Sequence, residues 1–168
     1  RMALQGRDYL LARQAFLQLE EFGVGEEEIG AFVEEVEEAQ GLVQRLRGKR
    51  LLFILEDLGQ GLGRPGREPG SPQLEDYVRE ASSYWDLQTV EILAVDLRAL
   101  IARAATADRE GGVVWGQGER DRATFACRVL GVLGFYECVQ PLGEWMAVLT
   151  DVPLAIEAGK ALCKTREP

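Results

Sequence analysis

The stretch EEFGVGEEEIGAFVEEVEE, residues 20–38, holds nine carboxylates and no base. Carboxylates at this density could bind a divalent cation, work as an acid–base pair, or dock a basic surface. A calcium loop alternates its acids over about twelve residues around a central glycine, whereas these acids follow helical spacing. An acid–base pair needs two carboxyls held in different environments inside a cleft, but Glu34 and Glu38 point away from the apolar stripe of their own segment. Two readings remain, a solvated helix face and a docking face for a basic partner. Glu34, Glu35 and Glu38 are the partner-binding candidates. Opposite charge of this kind speeds encounter more than it adds affinity.

Nucleophilic chemistry has little to work with. The chain has no histidine, the usual base for a serine or cysteine nucleophile. Ser71, Ser82 and Ser83 fall at cap or helix positions with no motif lysine beside them. Cys127, Cys138 and Cys163 lie eleven and twenty-five residues apart, a spacing that fits no zinc pattern. An odd number cannot all pair within the chain, so the expectation is buried free thiols, with one disulfide plus a spare thiol as the alternative. GQGLGRPG follows an apolar LLFIL as a nucleotide loop follows a strand. Arg64, however, stands where the dinucleotide fingerprint needs its third glycine, Pro65 comes next, and no P-loop lysine–serine pair is present. No catalytic residue, metal ligand or cofactor is expected, and the chain reads as no enzyme. Trp115 sits in the glycine-framed GGVVWGQG. It either covers a helix end or anchors a partner, and it joins the candidate partner-binding set.

The net charge of −9 resides in the acidic stretch, because nine of the 28 acids lie there and the other 19 balance 19 bases. A neutral remainder offers no footprint for a nucleic-acid backbone. No apolar run approaches the ~20 residues of a bilayer span, so no direct membrane insertion is expected. The opening RMALQG, with Met at position 2, carries no signal-peptide pattern. It suits a tag remnant, an internal boundary or the end left after a targeting peptide is removed. The compartment therefore stays open between cytoplasm and organelle, as do oligomeric state and partner identity.

The elements that would position these groups read as helices. In residues 7–22, Tyr9, Ala12, Phe16, Leu19 and Phe22 recur at three- and four-residue steps. Over 26–47, Ile29, Phe32, Val33, Val36, Ala39, Val43 and Leu46 fall within an arc of roughly 140°. Glu26, Glu27 and Glu28 open that helix and Arg45 and Arg47 close it, complementing its dipole. KRLLFILEDL, residues 49–58, fits a short buried strand or a helix, and its helical neighbours favour helix. Five glycines and three prolines in residues 59–73 predict a linker or long loop.

Ser71 is expected to cap a helix with Pro72 in its first turn. The apolar stripe of that helix begins with Leu74, Tyr77, Val78 and Ala81, and the helix either runs through SSYWD or restarts at Asp86. Residues 86–105 carry two apolar faces. Val90, Leu93, Leu97, Leu100, Ile101 and Ala104 form one, and Ile92, Val95 and Ala99 the other, which predicts a central, sandwiched helix. A helix over 121–139 turns Ala126, Val129, Leu130, Leu133 and Tyr136 inward, with Gly131 and Gly134 admitting a close backbone. Pro141 is expected to stop it and begin another helix to Leu149, and Asp151 with Pro153 opens a last one to Cys163. The predicted fold is all-α: an up-down helical bundle over 74–168, two additional N-terminal helices within 1–58, and a Gly/Pro-rich linker at 59–73, packed as one domain overall.

From residue 73 onward the pattern resembles the extrinsic Q-type (PsbQ-like) subunit of photosystem II. EDYVREASSYWDLQTVEILAVDLRALI carries the likeness at Tyr77, Val78, Asp96, Leu97 and Arg98. RATFACRVLGVLGFYECV and EWMAVLTDVPLAIEAGKAL match that family's third and fourth helices in length and order. An insertion of roughly one turn, the glycines of the third helix and the three cysteines depart from the pattern, and residues 1–22 have no counterpart. The resemblance implies a four-helix bundle on the lumenal side of the chloroplast thylakoid. Such a subunit helps retain the inorganic cofactors of the water-oxidising site without binding them.

Taken together, the residues predict a non-catalytic soluble subunit or adaptor of a larger assembly, membrane-bound complexes included, whose partners are proteins. The rival is an enzyme or small-ligand carrier with a pocket beside helix 86–105 that uses Asp96 or Arg103.

Overall fold

The computed structural model describes residues 26–107 and 114–165. Every regular element among these residues is helical: α1 (Glu26–Gln60), α2 (Leu74–Ser82), α3 (Leu87–Ala107), α4 (Gln117–Leu133), α5 (Val139–Val148) and α6 (Val152–Leu162), with a 3-10 turn at Tyr136–Cys138. The all-α expectation holds for them. The helix expected over 7–22 lies outside the described residues. Contacts divide the chain into two compact units, Arg1–Arg45 and Leu46–Pro168, so the boundary falls within α1 rather than at the glycine- and proline-rich segment.

In the first unit, Val36, Leu42 and Val43 are 37%, 50% and 43% exposed, and Ala39 is exposed as well. The stripe expected to be buried along 26–47 is therefore on the surface wherever its side chains are described. Periodicity marks which side of a helix is apolar; it does not supply the neighbour that covers it. The helix also does not end near Arg47, as the dipole argument assumed, but continues to Gln60.

In the second unit, the ambiguous KRLLFILEDL is the C-terminal part of α1. Leu51, Ile54, Leu55 and Leu58 are buried at helical spacing, while Leu52 and Phe53 are exposed, a pattern no buried strand would leave. Beyond it, residues 61–73 form a loop organised by one buried carboxylate. Asp57 accepts hydrogen bonds from Arg64 at 2.5 Å, from Arg67 at 2.9 Å and from the Tyr77 hydroxyl of α2 at 2.8 Å. Arg64 also donates to the carbonyls of Asp57 and Gly61, and Arg67 to that of Pro72. Gly61, at φ 91°, turns the chain out of α1 through its N–H to the Leu58 carbonyl. Ser71 does not cap α2, because its hydroxyl donates to the Glu68 carbonyl. The cap is Gln73, whose N–H donates to Asp76.

The chain breaks after Ser82 and restarts at Asp86, whose carboxylate accepts from the N–H and hydroxyl of Thr89 at 2.7 and 2.6 Å. From there α3 packs on α4 and α5, α6 packs on the same two helices, and α2 lies on α4. Leu93, Leu97, Phe125, Val129, Leu130, Leu142 and Trp145 are completely buried. Helix α3 is not sandwiched: Val95 is 64% exposed and Ala99 is exposed too, and surface apolar residues of this kind are ordinary. Helix α4 stops at Leu133 because Gly134 adopts φ 61° and donates to the Leu130 carbonyl. Pro141 instead lies in the first turn of α5. Past that stop Tyr136 no longer follows the period of α4, and it is 64% exposed rather than inward. Asp151 caps α6 as expected, accepting from the Leu154 N–H at 3.1 Å.

Two glycines set helix separations. A Cβ on Gly118 would collide with the Gly59 carbonyl, and one on Gly131 would lie 2.9 Å from the Ala161 Cα of α6. Gly143, within α5, has nothing within 4 Å of such an atom. Gly118→Ala is therefore expected to destabilise the fold by about 1–3 kcal/mol. Gly143→Ala should stabilise it by about 0.5–1 kcal/mol through helix propensity. Urea unfolding followed by circular dichroism reads both.

Burial alone pushes the Asp57 carboxyl up, but hydrogen bonds from Arg64, Tyr77 and Arg67 outweigh it and hold the group below its ordinary value. A folded pKa depressed in this way contributes stability that is complete above the unfolded value, about 3.9. It is lost as pH falls through the lower folded value. The urea midpoint is accordingly expected to drop as pH is lowered from 5 to 3. Asp57→Ala, which strands two guanidinium groups, should cost about 3–5 kcal/mol at neutral pH and flatten that acid limb.

Candidate functional site

The sequence-derived candidates do not converge on one place. Glu34, Glu35 and Glu38 are exposed side chains of α1, together with Glu37. They line a shallow groove with Ala39, Leu42 and Arg45. Glu34 and Glu38 stand one helical turn apart, where like charges oppose the helix slightly, so this density of acid does not serve local stability.

Trp115 belongs elsewhere. Only 6% exposed, it meets Trp145 edge-on at 5.3 Å between ring centroids, and the Arg103 guanidinium lies over its ring at 5.8 Å. It covers the core rather than offering an anchor to a partner, because a ring of this size is held where the completely buried Trp145 provides an apolar floor. The exposed tryptophan is Trp85, at 59%. It has φ 48° and packs edge-on against Phe135 at 5.8 Å. Sequence reasoning passed it over, and its one signal was its place in the break between two helices.

Asp96 and Arg103, the residues of the rival reading, are both consumed by ion pairs to α4. Asp96 is 8% exposed and accepts hydrogen bonds from Nε and Nη2 of Arg122, and Arg103 pairs with Glu119. A more enclosed cleft, about 360 Å³, lies between α2, α4 and α6 and is lined by Glu75, Val78, Cys127, Arg128 and Glu157 among others. Arg128 is clamped there by Glu157 at 3.0 Å and by Glu75. The hydrogen bond from Arg128 holds the Glu157 carboxyl below its ordinary value. These partners stand 53 and 29 residues from Arg128 in the chain, so no local motif could have announced them. A guanidinium already engaged by two carboxylates is a clamp between helices.

The thiols divide. Burial, with Glu157 nearby, pushes Cys127 up to about 12, and burial pushes Cys138 up to about 11. Both are free and inert as nucleophiles at neutral pH. Cys163 is also free but exposed, contrary to the expectation that all three are buried, because it follows the last residue of α6. Among the described residues no cluster of three or more histidine, cysteine or acidic side chains could hold a metal ion. No helix among them is long and apolar enough to cross a membrane. The chain matches no protein-family model, no curated protein and no solved structure.

A thiol reagent applied to the native protein is expected to modify Cys163 within minutes and leave Cys127 and Cys138 unmodified until urea is added. Intact-mass spectrometry counts the adducts. Rapid native labelling of more than one thiol would contradict the burial described.

Proposed function

We propose that this chain is a non-catalytic helical subunit or adaptor that joins a larger protein assembly through the outward face of α1. The observation that carries this reading is the joint exposure of Leu42 and Val43, at 50% and 43%, beside Glu34, Glu35 and Glu38. Large apolar side chains framed by charge on a regular helix suit a groove-binding or helix-pairing mode of recognition. Trp115 has no part in this set. In this reading the second unit is an up-down bundle that serves as a folded base, and its buried ion pairs are structural. Asp57, Asp96 and Arg128 each already hold the partners that their charges require.

Tagged chain recovered from its native source is expected to carry a protein partner. The triple variant E34K/E35K/E38K should then associate with that partner about tenfold more slowly at low salt, and the difference should close at high salt. Unchanged kinetics would remove the acidic face from the account. Recovery of the chain alone would remove the assembly.

A further inference from the structure

Helices α2 and α6 both pack on α4, and the cleft of about 360 Å³ lies between them. Its floor is apolar and carries little side chain: Val78, Cys127, Gly131 and Ala161 line it, and all four are buried. A volume of this size suits a ligand at the small end of the usual range, roughly 300–1,000 Å³. The cleft lies wholly within the second unit, so nothing about it depends on the face of α1 proposed to dock a protein.

Three bases and two acids form its walls, Arg128, Lys160 and Lys164 against Glu75 and Glu157. Arg128 donates from Nε to Glu157 at 3.0 Å and from Nη1 to Glu75. Among the described residues its Nη2 donates to nothing. The two acids are not equivalent. The Glu157 side chain is 21% exposed and that of Glu75 66%, so Glu157 is the fixed partner and Glu75 a solvent-screened one that holds Arg128 weakly.

An oxyanion in the place of Glu75 would meet Nη1 and Nη2 together, an end-on fork that carboxylates and phosphates accept bidentately. Lys160, 3.5 Å from Glu157, and Lys164 are exposed on the α6 wall and add positive charge there. With Glu75 turned into solvent, three bases face one acid, which is the balance of an anion site.

We infer that this cleft binds a small amphipathic oxyanion, a carboxylate or phosphate monoester whose headgroup replaces Glu75 on Arg128 while its apolar body lies on Val78, Cys127, Gly131 and Ala161. Arg128 keeps Glu157 throughout, so the tie between α4 and α6 is undisturbed. Glu75 is then an internal competitor that occupies the headgroup position until ligand arrives.

Titration of the full chain, followed by the amide NMR resonances of Gly131 and Ala161, tests this with octyl phosphate, octanoate, octan-1-ol, octylamine and inorganic phosphate, each below its micelle concentration. The two amphipathic oxyanions are expected to shift those resonances saturably, and less tightly as salt rises. Octanol, octylamine and inorganic phosphate should each bind at least about tenfold more weakly, because each lacks the negative headgroup or the apolar body. Glu75→Gln, which releases Nη1, should bind octyl phosphate about three- to tenfold more tightly. A purely structural Glu75 would give no such gain. K160E/K164E should bind it at least about tenfold more weakly, with circular dichroism showing that the helices persist. No saturable shift with either oxyanion, equal binding of octanol or of inorganic phosphate, or a Glu75→Gln variant that binds no more tightly than wild type would each overturn the inference.

Discussion

The second unit depends on Asp57. A carboxylate 7% exposed has lost most of its hydration, and it remains charged only because Arg64, Arg67 and Tyr77 replace the lost water. Those three donors come from the loop and from α2, so one side chain at the end of α1 determines the path of the thirteen residues between two helices. Glycine and proline composition makes that path sterically accessible. It does not choose it, and the choice is electrostatic. Replacing the cluster with apolar residues could leave stability intact, but it would remove the directional contacts that give this loop a single course.

The same device recurs at smaller scale. Asp96 to Arg122 ties α3 to α4, Arg120 to Asp151 ties α4 to the cap of α6, and Arg128 to Glu157 ties α4 to α6 again. Helix α4 is the common member, and it is also the helix whose Gly131 admits the Ala161 backbone. Close approach and charge pairing therefore fix the same neighbours. Ionisable groups that look chemically available in the sequence are spent on this framework, and Asp96 and Arg103, candidates for a ligand pocket in the sequence, are found in ion pairs to α4.

The helical class was legible because the apolar residues of α3 and α4 recur at helical steps over several turns, and the buried sets found there are largely those the periodicity names. The Asp151 cap was legible because capping is local. What depended on distant partners was not. The Arg128 clamp, the Asp57 cluster and the burial of Trp115 under Arg103 each join residues with no sequence relationship. The end of α4 was misjudged by giving Pro141 the role of Gly134. Proline is tolerated in a first helical turn, whereas a left-handed glycine terminates the turn before it. Of the candidate site, the three acids were placed on the exposed face they occupy, and the tryptophan was not.

The length of α1 changes what its charges mean. Read as ending near Arg47, the helix has acids at its start and bases at its finish, and the macrodipole accounts for both. Read to Gln60, the bases fall in mid-helix and the dipole no longer accounts for them. Nor does pairing along the helix, because Glu38 and Arg45 are seven residues apart, two turns, and beyond the three- or four-residue reach of such pairs. Segregated charge that neither the dipole nor intrahelical pairing explains does not serve the stability of α1 itself.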